Sequence, residues 1–158
     1  MNEPNTKELA IKAAVIAEEK KGKNVVVIDF SDKSVLYDYV IITSAMSRTE
    51  TRAIASAIDL ELKNTNTQRR AIQGMDSGYW ILLDYGSIVV HVFAEQDREF
   101  ANRGLRPLSK DKTESNYRFF YNLEELWKDV PRLDYNSLPE TEDFRKKYTE
   151  PKLEMIES

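Results

Sequence analysis

The chain has 158 residues, a length that fits one domain with a sizeable hydrophobic core. Its net charge of −4 argues against a protein that grips nucleic acid mainly through the phosphates, and the absence of cysteine excludes disulfides, thiolate zinc sites and cysteine nucleophiles. No apolar run reaches the roughly 18 residues of a membrane span, and the N-terminus lacks the pattern of a signal peptide. A cytoplasmic protein with no membrane association is therefore expected.

The first half of the chain shows helical stripes and short apolar runs in alternation. They predict a helix over about residues 7–21, strands at 25–30 and 39–43, and a second helix over about 48–63. A short edge strand is expected near residues 70–72.

Capping residues indicate where the first predicted helix begins and ends and where the second begins. Thr6 can cap the first helix, and Gly22 suits the left-handed residue that ends it. Ser47 and Glu50 have the spacing of a capping box, which indicates that the second helix begins at the next residue after Ser47.

The centre of the chain predicts a β-hairpin, because two apolar runs at residues 79–83 and 88–93 flank a short turn. Side chains alternate between the faces of a strand, so Trp80, Leu82 and Asp84 share one face and the residues between them share the other. Both faces are largely apolar. We therefore expect the helices to cover one face and a partner to cover the other.

The order of elements is helix, strand, strand, helix, strand, hairpin. This order predicts a single α/β domain with a mixed β-sheet and helices mainly on one face.

Three segments of the chain together resemble the ribosomal silencing factor family, also called the Iojap family. They are DYVIITS at residues 38–44, WILLDYGSIVVHVF at 80–93 and FYNLEELWKDVP at 120–131. The resemblance implies a ribosomal silencing factor-like domain over residues 1–131, with a nucleotidyltransferase-like fold and neither catalysis nor a cofactor. It also implies binding to the large ribosomal subunit through the L-fourteen-type ribosomal protein, which would block subunit joining and repress translation under nutrient limitation.

The residues expected to contact this partner lie on the hairpin. They are Trp80, Leu82, Asp84, Tyr85 and His91. An aromatic beside an aliphatic, rimmed by a carboxylate, is typical of a protein-binding hot spot. For Asp84 and Tyr85, a role in shaping the turn is an equal alternative. His91, the only histidine, is expected to be a hydrogen-bonded strand residue or part of the binding face, since metal binding would need further ligands.

The chain departs from the family pattern at residues 101–119, an insertion with five basic and two acidic residues. One interpretation is a surface loop without a specific role, because longer loops add little entropic cost. The other is an arm that contacts ribosomal RNA phosphates. The candidates for RNA contact are Arg103, Arg106, Lys110 and Lys112.

A metal-dependent nucleotidyltransferase is the alternative function. Such an enzyme needs carboxylates that hold magnesium at fixed geometry. Glu95 and Asp97 are the nearest candidates, but the turn at Gly86 and Ser87 is not followed by an Asp-x-Asp pair. The sequence therefore favours a binding protein over an enzyme.

The C-terminal part of the chain gives weaker signals. Trp127 is expected to pack with Leu123 and Leu126 against the sheet. Residues 132–158 read as a charged tail, mobile or loosely docked. An apolar open sheet face also permits a homodimer that hides it until the ribosome competes.

Overall fold

The computed structural model describes residues 5–95 and 123–157. The four basic candidates for RNA contact, Arg103, Arg106, Lys110 and Lys112, lie outside this range, as does Asp97. In chain order the elements are α1 (Thr6–Glu19), β1 (Lys23–Asp29), β2 (Tyr39–Ala45), α2 (Arg48–Asn64), β3 (Ala71–Gln73), β4 (Trp80–Asp84), β5 (Ile88–Ala94), α3 (Leu123–Leu126), a 3-10 turn (Tyr135–Ser137) and α4 (Pro139–Glu157). None of the helices in the described ranges is long and apolar enough to cross a membrane.

The five strands form one mixed sheet in the order β1-β2-β5-β4-β3. β2 and β5 run parallel at its centre, and the other neighbouring strands pair antiparallel. A parallel pair needs a long crossover connection, and the segment between β2 and β5 contains α2. The predicted α/β class, with a mixed sheet and helices mainly on one face, is confirmed.

One face of the sheet packs against α1 and α2. The alanines of α1 are fully buried and let the helix approach the strands closely, and α2 contributes the stripe that its sequence predicted. The sheet packs aliphatic side chains against both helices. The buried residues of the helices and strands at this contact are Ala13, Ala14, Ala17, Ile54, Ile58, Leu62, Ile81, Leu83, Val90 and Val92.

The ends of α1 differ from the sequence prediction. Asn5, not Thr6, is the cap, because its Oδ1 accepts the backbone N–H of Lys7 at 2.9 Å. The left-handed residue is Lys21, with φ of 72°, rather than Gly22. Gly22 serves a different purpose: a Cβ there would lie 2.6 Å from the carbonyl oxygen of Ala17, so only glycine permits this close approach.

The cap of α2 agrees with the sequence. The Oγ of Ser47 accepts the backbone N–H of Glu50 at 3.1 Å, which satisfies one of the free N–H groups of the first turn.

Part of the segment expected to be a mobile or loosely docked tail, residues 132–158, contacts β1 and α1 in the structure. Arg132 forms an isolated antiparallel β-bridge with Ile28 of β1. The backbone N–H of Leu133 donates to the carbonyl of Val27 at 2.8 Å. Tyr135 is buried, and its hydroxyl donates to the Glu18 carboxylate of α1.

Helix α4 then packs along α1. Pro139 begins this helix, because a proline in the first turn needs no N–H partner. Phe144 and Tyr148 are four residues apart on one side of the helix, and they pack against the core that α1 and the sheet share. Arg145 adds an ion pair to Glu18 at 3.2 Å.

The aromatic face of the sheet as a candidate docking surface

Trp80, Leu82 and Asp84 lie on the sheet face that points away from α1 and α2, and each is half-buried. Ile81, between the first two, has 0% exposure beneath the helices. Successive side chains of β4 therefore point to opposite faces of the sheet, as the sequence predicts. We call the side of the sheet that carries Trp80, Leu82, Asp84, His91 and Phe93 the aromatic face.

The indole of Trp80 is held at two points by β5. Trp80 and Phe93 are directly opposite each other in the β4–β5 pairing, and their rings stack with centroids 4.9 Å apart. The indole N–H donates to Nδ1 of His91, two pairs further along β5, at 3.1 Å. The role of Phe93 was not predicted, because a turn over residues 84–87 would have placed His91 opposite Trp80, whereas the observed register pairs Asp84 with Val89 and Trp80 with Phe93.

His91 lies beneath this surface rather than on it, with 8% exposure. Burial lowers the pKa of its imidazole to about 4, because a charged ring would lose its hydration, so the ring is neutral at physiological pH. Since Nδ1 accepts the indole N–H, the proton of the neutral ring lies on Nε2. Among the described residues no group of three metal-ligating side chains is placed to hold a metal ion.

The segment that begins with α3 covers part of the aromatic face. Leu123 is buried there, and Trp127 packs edge-on against Phe30 with centroids 5.2 Å apart. The predicted packing of Leu123 and Trp127 on the sheet is confirmed. The prediction for Leu126 is wrong: it is 67% exposed, because Leu123 and Trp127 are four residues apart and share one side of the turn.

Asp84 and Tyr85 have separate surroundings. Asp84 Oδ1 accepts the backbone N–H of Gly86 at 2.8 Å, which stabilises the hairpin turn at the rim of the aromatic face. Tyr85 is buried on the opposite side, with its hydroxyl donating to Asp59 at 2.8 Å, and burial raises its pKa. The structure thus brings Trp80, Leu82 and His91 together and leaves Tyr85 in the helix-covered core.

Exposed apolar side chains that were not predicted as candidate contacts also lie outside the hairpin. Val35 and Leu36 extend into solvent from the loop between β1 and β2. Tyr37 in the same loop packs edge-on against Phe30, with centroids 5.0 Å apart. The sequence signal for these side chains is the run of three apolar residues at 35–37 within a loop.

Glu95, the first carboxylate of the alternative enzyme site, lies at the end of β5. It forms an ion pair with Lys23 at 3.7 Å. Its partner in that hypothesis, Asp97, falls outside the described residues. Within the part of the chain that the structure describes, Glu95 is seen in a surface ion pair.

Comparisons with known proteins converge on one family. Residues 3–105 match the family model described as ribosomal silencing factor during starvation. The ribosomal silencing factor of Bacillus subtilis is 28% identical over 130 residues, which cover 82% of this chain and 93% of that protein. The ribosomal silencing factor of Chromobacterium violaceum is 31% identical over 93 residues, 59% of this chain and 74% of that protein.

Two crystal structures resemble the fold. One, of a Chromobacterium violaceum protein, has a TM-score of 0.60 and 27% identity, and the match covers 64% of this chain and 84% of that one. The other, of a Bacillus halodurans protein, has a TM-score of 0.56 at 24% identity and covers 82% and 99%, a likeness of fold alone. Since the family model spans well over half of its residues, this chain belongs to the ribosomal silencing factor family.

Proposed function

We propose that this protein binds the large ribosomal subunit through the L-fourteen-type ribosomal protein, blocks joining of the small subunit and represses translation under nutrient limitation, in the cytoplasm. Membership of the family supports the general role. The observation that supports the location of the contact is the half-buried pair Trp80 and Leu82, on the sheet face that α1 and α2 leave uncovered, with the Asp84 carboxylate at its rim.

The aromatic face has the chemistry of a protein-binding surface. A tryptophan contributes a large apolar area, and residues of this kind dominate measured binding energies at interfaces. The stack on Phe93 and the hydrogen bond to His91 hold the indole in one orientation. A side chain already fixed in the free protein loses less conformational entropy on binding, which favours affinity.

We propose further that the protein acts by binding and not by catalysis. The Lys23 ammonium occupies the neighbourhood of Glu95, the carboxylate on which the nucleotidyltransferase alternative depends. The role named by the family is regulatory, which agrees with this proposal.

Two additional contacts belong to the proposal. Arg103, Arg106, Lys110 and Lys112 would contact ribosomal RNA beside the protein contact, since clustered basic residues bind phosphates. In the absence of ribosomes, the aromatic face would meet a second copy of this chain, because exposed apolar patches are commonly covered by partners.

The test is co-sedimentation of purified large subunits with wild type, Trp80→Ala and Leu60→Ala, followed by a subunit-joining assay. Leu60 is a matched control because it is 63% exposed on α2, on the other side of the sheet. Truncation of a hot-spot tryptophan weakens binding by about 30-fold or more. We expect that loss, together with restored joining, for Trp80→Ala, and wild-type behaviour for Leu60→Ala. Equal binding by all three proteins would contradict the proposal.

A further inference from the structure

The buried histidine of the aromatic face has no role in the function as proposed so far. His91 is 8% exposed, so the partner has little access to it. Its ring nevertheless contacts three aromatic side chains. Its centroid lies 6.0 Å from that of Trp80, 6.3 Å from Phe93 and 6.5 Å from Trp127.

Only one of these contacts is a hydrogen bond. The indole N–H of Trp80 donates to Nδ1 of His91 at 3.1 Å, from the neighbouring strand. The bond requires an unprotonated Nδ1, and the buried, neutral ring supplies one. A hydrogen bond has a preferred direction, whereas stacking on Phe93 tolerates rotation and sliding of the indole.

We infer that His91 is a positioning residue for the docking surface: by accepting the indole N–H, it fixes the orientation in which Trp80 meets the large subunit. This inference rests on the proposed function, because it assigns a role in the same contact. His91 itself, at 8% exposure, offers little surface for the partner to contact. The hydrogen bond removes rotational freedom from Trp80 before binding, so its loss appears as weaker affinity.

A matched pair of substitutions separates the hydrogen bond from packing. Asparagine and leucine are similar in size and shape, and both remove the imidazole ring. The Oδ1 of asparagine branches from the same atom as Nδ1 of histidine and can accept the indole N–H, whereas leucine has no acceptor. A structural role confined to packing predicts the same behaviour for His91→Asn and His91→Leu.

The first readout is large-subunit binding by co-sedimentation. Because a typical hydrogen bond contributes about 1 kcal/mol net, we expect His91→Leu to bind on the order of fivefold more weakly than wild type. We expect His91→Asn to stay close to wild type. Equal affinity of the two variants, whether both are tight or both are weak, would overturn the inference.

The second readout uses the free protein and needs no ribosome. The indole N–H resonance of Trp80, assigned by its loss in Trp80→Phe, should exchange slowly with solvent in wild type and His91→Asn and faster in His91→Leu. Fast exchange in wild type would overturn the inference on its own. If wild type fails to bind large subunits, the proposed function falls, while the exchange measurement still decides whether His91 holds the indole.

Discussion

The two faces of the sheet are built from different residues. Against α1 and α2, β4 and β5 present aliphatic side chains such as Ile81, Leu83 and Val90, all with 0% exposure. On the aromatic face the same strands present Trp80, Leu82 and His91, of which the first two are half-buried. The helix-covered face therefore buries close-packed aliphatic side chains. The aromatic face instead has aromatic rings joined by a hydrogen bond and remains partly accessible to solvent.

The contrast between the two faces shows how one hairpin can serve both stability and binding. Aliphatic side chains beneath helices stabilise the fold through burial and dense packing. Aromatic side chains at a partly open surface keep apolar area available for a partner, and their contacts with one another hold them in place. Adjacent residues of β4 should thus respond very differently to the same substitution.

The largest expected effect is on the helix-covered face. Ile81→Ala leaves a cavity in a fully buried site and should lower the free energy of unfolding by about 3–4 kcal/mol. Leu82→Ala, one residue along, removes a half-buried side chain and should lower it by only about 1 kcal/mol. Urea unfolding of both variants measures the difference. Similar losses of stability would show that the two faces are equally packed.

A smaller effect follows from the buried histidine. The pKa of His91 is lowered to about 4, so the unfolded chain takes up this proton before the folded chain does. The contribution of His91 to the free energy of unfolding is therefore fully present above about pH 6.5 and is lost as the pH falls towards 4. The total loss is about 3 kcal/mol. The rings around it, those of Trp80, Phe93 and Trp127, do not titrate in this range.

His91→Asn isolates this contribution from the carboxylates that also titrate in acid. The stability of wild type relative to His91→Asn should decline between pH 7 and pH 4, as measured by urea unfolding at each pH. Parallel pH profiles for the two proteins would mean that His91 keeps an ordinary pKa and is open to water.

The sequence predicted the architecture well because period-2 and period-3.6 patterns directly reflect which side of an element is buried. It placed Trp80 and Leu82 opposite Ile81 for that reason. It could not predict that Tyr85 anchors to Asp59 on α2, or that His91 bonds to Trp80, because such contacts depend on how strands and helices meet in three dimensions. It could not predict how α4 packs on α1, because that contact uses partners far apart in sequence, such as Arg145 and Glu18.

We propose that the aromatic face, and not the helix-covered side of the molecule, is the docking surface. Leu82→Glu and Leu60→Glu test it directly, since they make the same chemical change on opposite sides of the sheet. Their affinities for purified large subunits should be compared by co-sedimentation, with thermal melting to verify folding. We expect folded Leu82→Glu to lose binding and Leu60→Glu to bind as wild type does. Undiminished binding by Leu82→Glu, or loss of binding by Leu60→Glu alone, would contradict it.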